Sequence, residues 1–473
     1  MFLCFFRRAR AAALARPALL AVCCGAAVGL AQAQAPASEA PPPAIDLLTA
    51  WQRAQAHDAA WLAAQATARA GQEAEAIARA ELRPQVALAA TRTHNEVRYT
   101  GSTDPLQRYY SGTQSLTLRQ PLYRPVLRAG LAKAQAEVRD VASRRDLEHN
   151  NLLTRVTEAY FDALLAQDQL HMIEGQLANA QVRMAAAAQG VIAGTGTRTD
   201  VDEAQARRDL LQAQRLEARQ AVASTLQVLQ DLVQQPVATL QAVREDAPLQ
   251  TPLGAEAERS LAQWQEMAQR QSPELQALQA QRDAAEHEIE RAQAGHKPTL
   301  DMLLQWQRND RDSVTSPTAS YRQGQVLLQL NVPLYNGGGV SAAVRQAIAQ
   351  RDRAEHALEA ARRELGSRVT REWRQVTEGR ARIAALEQAV HSARQLVHAT
   401  EQSQRAGVRS HLDVLEAQER LGTAHTEWTR ARYQRLVASV RLAVLAGAGD
   451  DALVSALNQQ LQPTSLAQET KRP

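Results

Sequence analysis

The sequence predicts an α+β membrane protein that is built from two internal repeats and assembles with further copies of itself. The chain matches itself at an offset of about 213 residues, and each repeat joins a short alternating segment to a long proline-free one. Beyond the N-terminus, no apolar run is long enough to span a bilayer as a helix. Because bilayers accept only helices and closed barrels as spanning structures, the alternating segments are expected to enter the membrane as β-strands.

The first 33 residues have the composition of a secretory signal peptide. A start with three arginines precedes an apolar stretch, and Ala-Gln-Ala at 31–33 fits a small-x-small cleavage site, so the mature chain is expected to begin at Gln34. A membrane anchor is the alternative, but Arg16 and Pro17 leave the stretch short for a span. All 3 cysteines lie in this segment, which excludes a disulfide framework and a thiolate metal site from the mature chain.

The charge balance excludes nucleic acid as an expected partner. The chain has 54 Lys and Arg against 50 Asp and Glu, a formal charge of +4. Four of the arginines belong to the predicted signal peptide, so the mature chain is balanced and presents no overall basic field.

The two repeats correspond in one order along the chain, and Trp51 has its counterpart in Trp264. Three pairs of segments match: 82–84 with 296–298, 120–123 with 332–335, and 199–205 with 412–418. In each repeat a short helix (47–81, then 255–294) precedes a proline-led hairpin region and a long segment without proline.

This plan divides the chain into eight segments. They are a signal peptide at 1–33, an N-terminal helical segment at 34–83, a first β-hairpin at 84–123, a first coiled-coil hairpin at 124–235, an equatorial connector and helix at 236–297, a second β-hairpin at 298–335, a second coiled-coil hairpin at 336–447 and a C-terminal tail at 448–473.

The long segments are predicted to be helical. Apolar residues recur at strict intervals of seven, which makes a narrow seam and favours supercoiling against a neighbour. The positions are Val156, Ala163, Leu170, Leu177 and Met184 in the first repeat, and Val369, Val376, Ile383, Val390 and Val397 in the second. Glycine-containing turns at 190–196 and 407–410 divide each segment, so each reads as a long antiparallel helical hairpin with its tip at the turn.

The hairpin regions alternate with period two, as in the run 326–332, where Val and Leu positions alternate with Leu, Gln and Asn. Tyrosine and tryptophan concentrate here, at Tyr99, Tyr109, Tyr110, Tyr123, Trp306, Tyr321 and Tyr335. This distribution fits aromatic girdles at the interfaces of a membrane barrel. A soluble hairpin domain with buried aromatics is the alternative.

Four strands cannot close a barrel, and open strand edges are not tolerated in lipid. Bacterial membrane barrels have at least about eight strands, so at least two chains must contribute. Three chains would give twelve strands, and their twelve long helices could continue the barrel as a tube.

The duplication, the strand starts at Pro84 and Pro298, the Pro-Leu-Tyr strand ends and the tip sequence at 406–417 resemble the TolC family of outer-membrane factors. The resemblance spans almost all of the mature chain. It implies a homotrimer with a 12-stranded β-barrel in the outer membrane, continued by a 12-helix periplasmic α-barrel that inward-coiled helix tips close.

The same resemblance implies a periplasmic gate. Asp413 and Glu416 match the acidic positions that ring the aperture, Arg409 matches a basic latch residue, and Asp200 matches the carboxylate that it bonds on the neighbouring hairpin. Gln404 stands where the family has a second, tyrosine-based latch, so that latch is not carried over. Solvated charges near a helix start are the alternative interpretation of these residues.

The resemblance further implies a passive channel. The residues themselves show no trusted catalytic constellation, phosphate loop or metal-ligand set, so an enzyme, a cofactor and a metal are not expected. The expected partners of the channel are a periplasmic adaptor, an inner-membrane transporter of the ABC exporter class, further copies of the chain and outer-membrane lipid. Type I secretion of a protein toxin or enzyme is the leading prediction, and the chain is similar to the outer-membrane components of cyclolysin-type toxin exporters. Two alternatives stay open: a drug or metal efflux channel, and a periplasmic coiled-coil scaffold without a pore.

Overall fold

A computed structural model describes residues 44–98, 106–237, 239–243, 253, 259–310 and 320–462. The predicted signal peptide and its cleavage site lie outside these residues, as does Tyr99. Residues 99–105 and 311–319, between the strands of the two predicted β-hairpins, also lie outside them.

Each repeat contributes the same succession of a short helix pair, a strand pair and a long helix pair. The first repeat contains α1 (Leu47–His57), α2 (Ala59–Ala80), β1 (Gln85–Val97), β2 (Gln107–Tyr123), α3 (Pro125–Ile192), α4 (Arg198–Val233) and β3 (Ala242–Val243). The second contains α5 (Leu261–Gln271), α6 (Pro273–Gln293), β4 (Thr299–Asp310), β5 (Ser320–Asn331), α7 (Gly339–Arg405), α8 (His411–Leu445), α9 (Asp451–Asn458) and β6 (Leu461–Gln462).

The short helix predicted at the start of each repeat is two helices. In the first repeat the Asp58 carboxylate accepts a hydrogen bond from the Trp61 backbone N–H at 2.7 Å and so caps α2. In the second, Pro273 has no N–H to donate and occupies the start of α6. The prediction of one continuous helix is wrong at these two points, because a capping carboxylate and a proline each begin a new helix.

The long helices follow the seven-residue seams. Helices α3 and α7 contain 68 and 67 residues, which corresponds to about 100 Å each. Six of the ten seam positions are buried: Val156, Ala163, Leu177, Val369, Val376 and Val390. The other four are half-buried, which confirms the predicted seam. Among the described helices, none is both long and apolar enough to serve as a transmembrane span.

The four long strands form one antiparallel sheet in the order β1-β2-β4-β5. One row across it contains Val86, Leu118, Leu304 and Val326, and the next row contains Ala87, Thr117, Gln305 and Gln325. Because successive side chains point to opposite faces, one face is apolar and the other is polar in the half of the sheet nearest the helices. The predicted alternation is thereby confirmed.

The register corrects two of the predicted girdle positions. Trp306 lies across from Leu116 on the apolar face. Tyr321 lies across from Asn309 on the polar face, where its hydroxyl accepts a hydrogen bond from the Asn309 amide. The girdle prediction is therefore wrong for Tyr321 and for Tyr109, which lies across from Asn95, because their odd positions turn both rings away from the apolar band.

The main core lies where the short elements pack against the middle of the long helices. Trp51 and Trp264, the two repeat-related tryptophans, are both fully buried there. The Tyr160 hydroxyl donates to the Gln241 carbonyl at 2.9 Å and also lies 3.2 Å from the Ile45 carbonyl. Burial raises the pKa of Tyr160, so this phenol stays a neutral hydrogen-bond donor.

The segment predicted as a C-terminal tail is folded as far as residue 462. Helix α9 buries Leu453, Val454 and Leu457 in the main core, and β6 pairs with β3. The Asp451 carboxylate accepts a hydrogen bond from the Trp51 indole N–H at 2.7 Å. This segment, as far as residue 462, is therefore tied to α1.

The long helices form a layer that is one helix thick. On the sheet side its order is α2-α3-α6-α7, and towards the tips its order is α4-α3-α8-α7. Helix α2 leads into β1 and β5 leads into α7, so the edge strands of the sheet continue into the edge helices of the layer. Within the described chain, sheet and layer thus share the same two open edges.

Candidate functional site

Two equivalent turns form the tips of the helical hairpins. Gly194 lies two residues after the end of α3 and has a φ of +71°, and Gly407 lies two residues after the end of α7 and has a φ of +76°. This left-handed conformation favours glycine and ends a helix. Thr197 and Ser410 then cap the returning helices α4 and α8. The tips are therefore determined locally by the sequence.

Asp200 lies in the first tip and closes a capping box with Thr197. Its carboxylate accepts hydrogen bonds from the Thr197 backbone N–H and hydroxyl, both at 2.8 Å, while its own N–H donates back at 3.3 Å. A negative charge at this position also favours the helix dipole. The predicted bond between Asp200 and Arg409 of a neighbouring hairpin stays a prediction.

Asp413 lies at the equivalent position of the second tip. Its carboxylate accepts hydrogen bonds from the Ser410 backbone N–H at 2.8 Å, the Ser410 hydroxyl at 2.9 Å and the Arg409 guanidinium at 3.3 Å. These bonds, the Ser410 backbone N–H foremost, hold the pKa of Asp413 below its ordinary value. The structure therefore brings Arg409 and Asp413 together and keeps Asp413 ionised at neutral pH.

Glu416 lies one turn further along α8, on the same face as Asp413. Its carboxylate is 3.7 Å from the Arg420 guanidinium, and both side chains are exposed. Exposed pairs of this kind contribute at most about 1 kcal/mol, so they leave the two carboxylates available to other partners.

Ion pairs also join the two helical hairpins near their tips. The Arg183 guanidinium of α3 lies 3.2 Å from the Glu401 carboxylate of α7, which also accepts a hydrogen bond from Gln418 at 3.3 Å. Arg207 of α4 lies 3.5 Å from Glu419 of α8. Sequence reasoning missed these links, because their partners are far apart in the chain and follow no helical spacing.

A second set of charges crosses the middle of the layer. The Arg441 guanidinium of α8 donates to the Glu158 carboxylate of α3 at 2.7 Å. Glu372 of α7 is only 8% exposed, and its Oε2 atom has no hydrogen-bond partner within the described chain. Burial raises the pKa of Glu372, although Arg441 and Arg371 oppose this effect. These groups were not identified from the sequence either.

A family model described as outer membrane efflux protein matches residues 50–233 and 264–448 of the chain. The two matches follow the two repeats, and together they include the predicted gate residues, both tips and all four long strands.

Known proteins resemble the chain over most of its length. It is 36% identical to the alkaline protease secretion protein AprF of Pseudomonas aeruginosa over 348 residues, 73% of this chain and 71% of the relative. It is 32% identical to the proteases secretion protein PrtF of Dickeya chrysanthemi over 415 residues, 85% and 88% of the two chains. The crystal structure of the outer membrane protein VceC from Vibrio cholerae superimposes with a TM-score of 0.73 at 19% identity, over 85% of this chain and 96% of that one, which concerns the fold alone.

Proposed function

The chain belongs to the outer membrane efflux protein family, the TolC-like outer-membrane factors, and on that premise we propose that three copies form the exit duct of a type I secretion system. The family is one of outer-membrane channels and not of enzymes, and the protein is an outer-membrane protein. In the proposed duct it acts as a passive gated channel without catalytic activity, cofactor or bound metal.

The shared open edges of the sheet and the helical layer carry this proposal. An unpaired edge strand cannot face lipid, so β5 of one copy must pair with β1 of the next. The same step brings α7 of one copy against α2 and α4 of its neighbour. Large apolar side chains are exposed on these two edge helices: Leu62, Ile77, Leu210, Leu216 and Val228. Their exposure supports a closed ring, because contact between copies would bury them.

The number of copies follows from the strand count. Two copies would give eight strands, a barrel whose interior side chains fill, whereas three give twelve strands and leave room for a passage. We therefore propose a homotrimer with a 12-stranded β-barrel, continued by a 12-helix α-barrel in the periplasm. The apolar sheet face meets outer-membrane lipid and the glutamine-bearing face lines the pore.

Polypeptides are the proposed cargo. AprF and PrtF, which resemble this chain at 36% and 32% identity, are named as secretion proteins for proteases. A protein toxin or enzyme is accordingly the substrate class that we propose. The second candidate is drug or metal efflux, which the description of the family favours.

The partners of the duct follow from its passive nature. We propose that a periplasmic adaptor connects it to an inner-membrane transporter of the ABC exporter class, which supplies the energy. The eight segments predicted from the sequence are proposed as the functional division of the chain, with the signal peptide at 1–33 directing export.

The gate is proposed at the tips. With three copies around one axis, Asp413 and Glu416 contribute six carboxylates to one narrow opening, which repel one another and attract cations. Closure then needs links that oppose this repulsion. Arg409 with Asp200 of a neighbouring copy is the proposed link between copies, in addition to the Arg183–Glu401 pair inside each copy.

Deletion of the gene tests the function. Loss of one large protein from the culture supernatant, with unchanged antibiotic susceptibility, is the expected result. Hypersensitivity with an intact set of secreted proteins would establish efflux instead.

Extraction of isolated membranes distinguishes the duct from a periplasmic scaffold. A scaffold would wash out of the membranes, whereas the proposed trimer resists extraction and migrates as an oligomer in mild detergent.

A further inference from the structure

A cavity of about 1030 Å³ opens between α3, α7 and α8 near the middle of the helical layer. Its lining is dominated by charge. Six arginines line it: Arg371, Arg374, Arg382, Arg430, Arg435 and Arg441. Three carboxylates, Glu158, Asp162 and Glu378, accompany them. The cavity is therefore a basic site with twice as many guanidinium groups as carboxylates.

The cavity lies on the side of the layer that the short elements leave bare. Tyr160 of α3 and Trp373 of α7 both point towards those elements, where they hydrogen-bond to Gln241 and Arg259 carbonyls. Asp162 and Arg371 are each two residues away, which is about 200° around a helix. In the proposed closed tube, short elements on the inner side of the wall would obstruct the passage. They therefore lie outside, and the cavity on the opposite side faces the lumen.

Part of the basic charge is not neutralised by the protein itself. Glu427 lies 2.8 Å from Arg430 and 3.8 Å from Arg382, and Glu158 pairs with Arg441. Arg371 and Arg374 are exposed, and within the described chain neither forms an ion pair. Three residues apart, they lie on one face of α7 and point along the same side of the cavity.

We propose that this cavity binds acidic segments of the transported polypeptide through Arg371 and Arg374. This proposal rests on the proposed secretion function and adds to it the chemistry of the cargo segments that the cavity binds. Guanidinium groups bind carboxylates with two parallel hydrogen bonds, and a cavity of this volume accepts several side chains. The charged lining disfavours an apolar small molecule. Water-exposed contacts of this kind are weak enough to release a chain that must pass.

Binding of a fluorescein-labelled 12-residue oligoglutamate to the full-length protein in mild detergent tests the site by fluorescence anisotropy. The double variant Arg371→Gln/Arg374→Gln is expected to bind roughly tenfold more weakly, since two charge-assisted contacts are lost. Binding should also weaken with salt. The matched control is Arg53→Gln/Arg270→Gln, which removes the same charge from α1 and α5 on the outer side and should bind as the parent does.

Equal affinity of the parent and the cavity variant would overturn the site. Tighter binding of inorganic polyphosphate of equal charge than of oligoglutamate would overturn the assignment to acidic peptide in favour of a phosphate ligand. The proposed function fails separately, when deletion of the gene leaves the secreted proteins unchanged. If the cavity variant binds oligoglutamate as tightly as the parent does, and the parent duct still secretes its cargo, then only the cavity site is refuted and the proposed function stands.

Discussion

Arg183 and Glu401 lie 3.2 Å apart and join the first helical hairpin to the second near their tips. The arginine is 21% exposed and the glutamate 34%, so the pair is better shielded from water than the Arg409–Asp413 pair at the tip, where the side chains are 61% and 34% exposed. A shielded pair is less weakened by salt and solvent. Unlike the Arg409–Asp413 pair, which lies within one tip, it also restrains the separation of the two hairpins.

Replacement of Arg183 by alanine should favour the open gate. A loss of about 1 kcal/mol of closing free energy would raise the open population about fivefold, which single-channel conductance in planar bilayers measures. Arg219→Ala is the matched control, since Arg219 pairs with Glu174 at 3.1 Å within the first hairpin. Equal conductance of the two variants would count against the role of the Arg183 pair.

Arg409→Ala should also raise conductance, but by less, because its bond to Asp413 is exposed. If Arg409 links neighbouring copies, then Asp200→Asn should give a similar increase, and the double variant should show no further increase. Additive effects of the two single variants would contradict a direct bond between these residues.

The proposed acidic ring predicts block by multivalent cations added on the periplasmic side. Asp413→Asn with Glu416→Gln removes six charges from the proposed aperture and should weaken that block. Hydrogen bonds lower the pKa of Asp413, so block by the parent should persist as the pH falls towards the ordinary range of carboxyl groups. Identical block in parent and variant would remove both residues from the aperture.

Leu304→Arg should prevent stable insertion, because Leu304 belongs to the apolar row of the sheet. An arginine on a lipid-facing position costs about 2–4 kcal/mol near the middle of the bilayer. Gln305→Arg is the control, since the adjacent residue lies on the polar face. Oligomer recovered from outer membranes should fall for the first variant only, and the reverse pattern would invert the assignment of the two faces.

Glu372→Gln should stabilise the protein at neutral pH. Burial raises the pKa of Glu372 in the folded state, so that state holds this proton more tightly than the unfolded chain does. The stability of the parent therefore falls as the pH rises from the ordinary carboxyl pKa through the raised one, and the glutamine variant escapes that loss. Melting temperatures should differ at about pH 7.5 and converge at about pH 4. The control is Glu378→Gln, whose side chain is exposed and whose melting temperature should match that of the parent at both pH values. Equal melting temperatures of Glu372→Gln and the parent at about pH 7.5 would contradict the prediction and would mean that the nearby arginines stabilise the Glu372 carboxylate.

The features that depend on neighbouring residues could be read from the sequence. The tips follow from Gly407 and the Ser410 cap, and the sheet faces follow from strict alternation, because both are determined within a few residues. The break at Asp58 was missed although it is local, since an aspartate inside an apolar pattern also fits an uninterrupted helix.

The contacts between distant segments could not be predicted. Glu401 meets Arg183 only because two hairpins of equal length lie side by side, and no periodicity relates the two residues. Helix α9 depends likewise on the surface that α1 and Trp51 present to it. In these places tertiary packing supplies the partner, and a single sequence contains no signal for it.

The length of α3 turns the periplasmic end of the molecule into a lever. The helix starts two residues after β2 ends and continues without interruption for 68 residues, and the main core holds it as far as Leu164. A tilt of about 5° at that point displaces the tip, about 40 Å further along, by about 3.5 Å. Adjustments too small to disturb the packing of the main core are thus amplified at the proposed gate.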